Sequence, residues 1–331
     1  MISSYLAILS DDFPIFLHDY LTLDILQRLK GIGLFCGCDY TSLFPIKTFY
    51  SRYDHSLGVA LIIWHFTHDK KQTIAGLLHD VSSPVFSHAI DFFNGDYLQQ
   101  ESTEERNIQI LEQDSILHTL LKRDGISFEE ISDYKRYPIA DNPRPQLSAD
   151  RLEYTLATYL FVLHGSINTV KNIYQDLYID YNEISFSHLE PVLAFMHSMH
   201  QTNLFYLSNE DKLALQLLAD ILKMMYHDQL ITMDDLYSLT ESEIIHRILA
   251  SPYKEYFHYF QTMTSIHESD TPVNNYYHIS LDVKRRYIDP LLCGKKISTQ
   301  SEEAASLIHD IKSYQTPLYA YIELEDFRNK P

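Results

Sequence analysis

Proline and glycine are scarce in this 331-residue chain, at 12 and 9 residues. That poverty argues against a disordered chain and against an all-β fold built on many tight turns. Cysteine is scarcer still. Cys36, Cys38 and Cys293 are the whole complement, too few for a disulfide framework. Cys36 and Cys38 stand too close together for an ordinary zinc knuckle. Reduced thiols in a cytoplasmic protein are the plain reading. No segment approaches the roughly 18 consecutive apolar residues that span a bilayer. The opening stretch, MISSYLAILSDDFP, has neither the basic start nor the apolar length of a signal peptide. No membrane partner is therefore expected. Positive charge is also in short supply: 26 Lys and Arg face 45 Asp and Glu, for a formal net charge of -19. Such a surface repels phosphate backbones, which disfavours nucleic acid as a partner. A small phosphorylated substrate is still compatible, because a metal ion and a few arginines can outweigh the global field locally.

What is present is helical periodicity. The patterns predict helices over Leu21–Leu34, Arg52–His68, Lys71–Asp80, Pro84–Phe93, Leu147–Leu163, Glu190–Leu207 and Glu210–Tyr226. Shorter helices follow at Met233–Ser238 and Ser242–Leu249, and Ser102 with Glu105 has capping-box spacing. Three prolines between Lys135 and Pro145 mark a loop, and Tyr178–Phe186 reads as a hairpin turning at Asn182. The last third changes character, with strands at Tyr276–Tyr287 and Leu318–Leu324 around a helix at Glu302–Tyr314. The fold class is therefore mainly α: a helical bundle over residues 1–265, with a small α+β C-terminal appendage over 266–331.

Histidine–aspartate doublets recur at 18–19, 68–69, 79–80, 227–228 and 309–310. With 17 His and 45 acids, chance produces such pairs, and a solvated pair is the default. His79-Asp80 differs because it ends the apolar run AGLLHDV. Burying an imidazole and a carboxylate together is costly unless they find partners, and a metal ion is one. Upstream, RYDHSLGV sets Arg52 and His55 on one helical face; downstream, LSADRLEY sets Asp150 near the start of another apolar helix. Two His and two Asp on three helices suit a divalent transition metal and leave water positions open on it. The ion's identity stays open among Fe, Mn, Ni, Zn and Mg.

The ordered motifs RYDHSLGV, LLHDVSSPVFSH and ADRLEY resemble the H…HD…D signature of HD-domain metal-dependent phosphohydrolases. They stand nearest the deoxynucleoside triphosphate triphosphohydrolase-like branch, and the resemblance runs from about Leu21 to about Ser251, with a further likeness in VKRRYIDPL. It implies an HD-domain bundle, one divalent metal ion held by His55, His79, Asp80 and Asp150, and a homodimer or higher homo-oligomer. It also implies that His88 and Asp91 serve catalysis, a pair whose spacing lets Asp91 orient His88. Without that role, His88 would simply bond to a neighbouring turn. Arg52, Arg151 and Tyr154 match residues near the substrate.

Departures from the branch pattern are as specific as the matches. A histidine near the substrate phosphates is Ser83 here, and a second histidine aligns with Gln100. Glu101 remains beside it as a candidate catalytic carboxylate, with Glu104 near the substrate; first-turn helix acids are the alternative for both. Positions that would contact the sugar hold Leu34 and Thr158. The implied activity is hydrolysis of a phosphoester or phosphoanhydride, of a nucleotide or related small phosphorylated metabolite. The losses at Ser83 and Gln100 also allow a catalytically weak nucleotide-binding sensor. Arg285 and Arg286 read first as a solvated edge strand, and second as cations reaching the site.

Overall fold

The computed structural model describes residues 1–98, 106–325 and 327. Helices dominate and the sheets are small, so the mainly-α reading with a small C-terminal α+β part holds.

Three helices carry the signature motifs, and each starts where its sequence dictates. Arg52–Thr67 opens on a reciprocal capping box: Ser51 Oγ accepts from the Asp54 amide at 3.1 Å, and Asp54 Oδ2 accepts from the Ser51 amide at 3.1 Å. Lys70–Leu78 is capped by Asp69, which accepts from the Lys71 and Gln72 amides at 2.8 and 3.2 Å. Ala149–Phe161 is capped by Ser148, which accepts from the Arg151 amide at 3.4 Å. Val59, Ile62, Ile63, Ile74, Leu77, Leu78, Leu152 and Leu156 are all buried. The first two helices approach so closely that a Cβ on Gly76 would lie 2.2 Å from Ile63 Cδ1. Burial of that apolar surface is the main force holding the three motifs together.

Two small sheets complete the fold. The hairpin Leu177–Asp180/Glu183–Phe186 is extended by Leu291–Leu292, parallel to its second strand, and then by Lys295–Lys296. In the other sheet, Tyr319–Glu325 lies between His267–Ser269 and Tyr276–Ile279, all antiparallel. This second sheet docks on the Asn209–His227 helix, where the Tyr277 hydroxyl donates to Asp220 Oδ2 at 2.7 Å.

Three elements differ from the sequence pattern. Leu21–Leu34 is not one helix but a short helix, Asp24–Arg28, followed by a 3-10 turn, Leu29–Gly31. The chain is pressed against Thr240 there: a Cβ on Gly31 would sit 2.6 Å from Thr240 Cγ2. The helix after Pro84 is delayed to Ala89–Asn94, because Phe86 and Ser87 take left-handed backbone conformations (φ 56° and 46°). Tertiary bonds hold that loop. The Phe86 amide donates to Glu241 Oε1 at 3.1 Å, and Ser87 Oγ donates to the Gly33 carbonyl at 3.1 Å. The strand from Tyr276 stops at Ile279, and residues 280–290 cross the helical body without regular structure; the Asp289 amide donates to the Pro145 carbonyl at 2.9 Å. The capping signal at Ser102 lies outside the described residues.

Candidate metal centre and cavity

His79 and Asp80 leave the end of the Lys70–Leu78 helix, His55 comes from the first turn of Arg52–Thr67, and Asp150 from the first turn of Ala149–Phe161. The structure brings all four together. His55 Nε2 lies 3.2 Å from Asp150 Oδ1 and 3.8 Å from Asp80 Oδ2; His79 Nε2 lies 3.7 Å from Asp80 Oδ1 and 3.8 Å from Asp150 Oδ1. His55, His79 and Asp80 each offer one ligand atom within 4.8 Å of the others.

The far side of each imidazole explains its orientation. His55 Nδ1 is bonded to Glu153 Oε2, and His79 Nδ1 lies 2.7 Å from the Gly76 carbonyl. With Nδ1–H donating in both rings, the Nε2 lone pairs point into the gap between two carboxylates. Lone pairs and anions facing one another repel unless a proton or a cation lies between them. In an apo site His55 carries the proton: burial opposes its charge, but Glu153, Asp150 and Asp80 outweigh burial and raise its pKa to about 10. The same donor set of two imidazoles and two carboxylates fits a divalent ion. Burial also opposes ionisation of Asp80 and Asp150. Arg52 and the two imidazoles nevertheless hold Asp80 well below the usual carboxylate range, and His55 and His79 bring Asp150 down to about 2.

The other doublets do different work. Asp69 caps a helix, Asp19 pairs with Arg123, and Asp228 Oδ2 accepts from the Tyr253 hydroxyl at 2.6 Å.

The cluster lines a cavity of about 600 Å³. Arg52 lies in its wall, donating from one terminal nitrogen to Asp80 Oδ2 at 2.7 Å and from Nε to Ser87 Oγ at 3.0 Å. His88 also lines it, with Nδ1 2.7 Å from Oδ2 of the buried Asp91. Burial lowers the His88 pKa, and Arg286 and Arg52 lower it further against the pull of Asp91, so the ring is neutral at pH 7. Ser83 and Leu34 line the cavity, whereas the Thr158 hydroxyl is bonded to Tyr206 at 2.7 Å. Tyr154 contributes an aromatic wall. Glu101, Glu104 and Gln100 lie outside the described residues.

Arg151 borders the cavity with its guanidinium already engaged. Nε donates to the Gln146 carbonyl at 2.8 Å, one terminal nitrogen to Asp141 Oδ1 at 2.8 Å, and the other to the carbonyl and side chain of Asn142. It ties down the loop predicted between Lys135 and Pro145. That loop places Lys135 and Arg144 on the cavity, while the irregular segment 280–290 adds Lys284 and Arg286. Arg285 faces elsewhere, donating to Asp282 at 2.7 Å and to the Tyr314 carbonyl at 3.0 Å. Arg286 is therefore not on a solvated strand. Desolvation, and then the like charges of Arg286 and Arg151, lower the Arg144 pKa. An anion would relieve that crowding. A chain with net charge -19 thus concentrates cations around one cavity.

The fold is shared with solved structures of very different sequence. A hypothetical protein from Aquifex aeolicus superposes with a TM-score of 0.64 at 16% identity, covering 94% of this chain and 93% of that one. A phosphohydrolase from Bacteroides thetaiotaomicron gives 0.64 at 15% identity, covering 93% and 95%. In sequence, the chain is 30% identical over 270 residues to the uncharacterized protein YdhJ of Bacillus subtilis, covering 80% of each. The chain belongs to the YdhJ family. It is also 30% identical over 133 residues to the metal-dependent phosphohydrolase cns2 of Cordyceps militaris, a match that spans 36% of that protein and 39% of this one. No protein-family model matches.

Proposed function

We propose that this chain is an HD-type metal-dependent phosphohydrolase that cleaves a phosphoester or phosphoanhydride of a small metabolite, a nucleotide foremost. The carrying observation is the meeting of His55, His79, Asp80 and Asp150 on a cavity that Arg52, Arg144 and Arg286 also line. The phosphohydrolase names of cns2 and of the Bacteroides structure support this reading.

A bound divalent ion would supply Lewis acidity and a more acidic water. The chain's own groups do the rest. Arg52 holds Asp80 in its ligand orientation and adds positive charge at the reacting phosphoryl. Arg144, Arg286, Lys135 and Lys284 attract and orient phosphate oxygens. Neutral His88, its Nδ1 held by Asp91, accepts a proton at Nε2 from the attacking water and can then pass that same proton to the leaving oxygen.

The test is purified protein assayed with Mn²⁺, Mg²⁺ or Fe²⁺ against nucleotides and simple phosphoesters. Turnover that Asp80→Ala abolishes is the expected result. Metal and nucleotide binding without turnover would replace the enzyme by a sensor. Absence of bound metal by elemental analysis would overturn both.

A further inference from the structure

Asp211 lines the same cavity, as do Phe205, Tyr206 and Leu215. It sits in the first turn of the Asn209–His227 helix, where its amide donates to Ser208 Oγ at 3.2 Å. The residue is only 6% exposed. Among the described residues, its carboxyl has one hydrogen-bond partner, the Cys38 thiol, which donates to Oδ1 at 3.5 Å. A thiol is a weak donor. The neighbouring Lys212 turns away and donates to Thr316 Oγ1 at 2.8 Å. Burial raises the Asp211 pKa to about 7, with Cys38, Lys212 and Arg286 pulling it back only in part.

A buried carboxyl so poorly matched destabilises the free protein. In a closed core it would be a defect. At a cavity wall it is an acceptor waiting for a ligand. Two nearby polar groups are already engaged: the Tyr206 hydroxyl is bonded to Thr158 at 2.7 Å, and the Cys36 thiol donates to the Leu34 carbonyl at 3.6 Å. The metal cluster and the cations account for phosphate. They do not account for a buried acid on the same cavity whose carboxyl meets only a thiol among the described residues.

We propose that Asp211 is the residue that selects the organic part of the substrate, accepting a hydrogen bond from a hydroxyl or amino group of a nucleoside. This rests on the phosphohydrolase reading for the placement of the phosphate. An acceptor built for a donor rejects an analogue lacking it, because the buried group is then left unpaired.

Equilibrium binding tests it without requiring turnover. AMP, GMP, CMP and UMP are titrated into the Mn²⁺-loaded protein. A sugar arm uses their 2′-deoxy and 3′-deoxy forms, and a base arm uses purine riboside monophosphate, which lacks the exocyclic amine. In one arm the wild type should prefer the donor-bearing member at least tenfold. That ratio should fall to within about twofold in Asp211→Leu and survive largely in Asp211→Asn, which keeps an acceptor oxygen. A ratio unchanged in Asp211→Leu, discrimination in neither arm, or no nucleotide binding overturns the proposal. Hydrolysis of p-nitrophenyl phosphate by the wild type and its loss in Asp80→Ala judge the phosphohydrolase reading separately.

Discussion

Glu153 Oε2 is bonded to His55 Nδ1, and the same carboxylate takes the Tyr50 hydroxyl on Oε1 at 2.5 Å. Glu153 is fully buried, three residues beyond Asp150 on the same helix. One turn of helix thus supplies both a candidate ligand and the carboxylate that orients another ligand across the site. Removing an outer-shell carboxylate of this kind weakens metal binding by about 10–100-fold. Glu153→Ala should show that loss in a Mn²⁺ titration. Gly58 makes the arrangement possible, since a Cβ there would lie 2.8 Å from Glu153 Cγ and Oε1. Gly58→Ala should lower metal affinity in the same direction and cost about 1–3 kcal/mol in urea unfolding of the apo protein. Unaltered Mn²⁺ affinity in both variants would show that Glu153 does not set the His55 geometry.

Arg151 should behave as a tether. Its donors are taken by Asp141, Asn142 and Gln146, and breaking a buried pair by removing one partner costs about 3–5 kcal/mol. Arg151→Ala should lower Tm and speed proteolysis between Lys135 and Arg144. Arg151→Lys should rescue little, because one ammonium cannot reproduce a planar fork. By contrast, Arg144→Gln should raise KM several-fold with little change in Tm. An Arg151→Ala protein with normal Tm and raised KM would return Arg151 to direct substrate contact.

The pH profile should report His88. Its folded pKa is lowered by burial and by Arg286 and Arg52, so the neutral, proton-accepting form persists below the ordinary value of about 6.5. The acid limb of kcat/KM should therefore fall below pH 6.5. Asp91 raises the His88 pKa, so Asp91→Asn should move that limb further down while lowering kcat. His88→Ala should cost about 10²–10⁴ in kcat. A His88→Ala enzyme retaining half its activity would remove the residue from the chemistry.

Much of this was legible in the sequence. The apolar run ending at His79-Asp80 and the order of the motifs are local features, and local features survive into the fold; the Ser51 and Asp69 caps are equally local but went unread. Glu153 was missed, although an acid inside the apolar helix ADRLEYTL was a signal that could have found it. Its role depended on which ring nitrogen of His55 needed a partner, and only the packing decides that. Arg286 illustrates the opposite case. Its segment alternates like a strand, yet 280–290 finds no strand partner and crosses the helical body, carrying the side chain to a cavity whose other walls lie more than 70 positions earlier. The broken helix before Gly33 likewise depends on Thr240, a residue no local pattern could supply.

The region behind the site should make stability depend on pH. Glu241 is fully buried; its Oε1 accepts from the amides of Gly33 at 3.0 Å and Phe86 at 3.1 Å, and the Tyr40 hydroxyl also acts on the carboxyl. Both Asp39 carboxyl oxygens are buried with no hydrogen-bond partner among the described residues, and Gly33 lies against both acids. Burial, and for Asp39 also the charge of Glu241, raises each pKa to about 7. In the unfolded chain these acids ionise near their ordinary values of about 4. Between about pH 4 and 7 the folded state thus holds protons that the unfolded state has released, so stability falls as pH rises through this window. Other carboxylates, such as Asp80 and Asp150, pull the opposite way but finish titrating below pH 5. Glu241→Gln removes one raised acid and should flatten the decline in Tm between pH 5 and 8. Thermal melts at matched ionic strength check it, and equal slopes for the two proteins would sink the assignment.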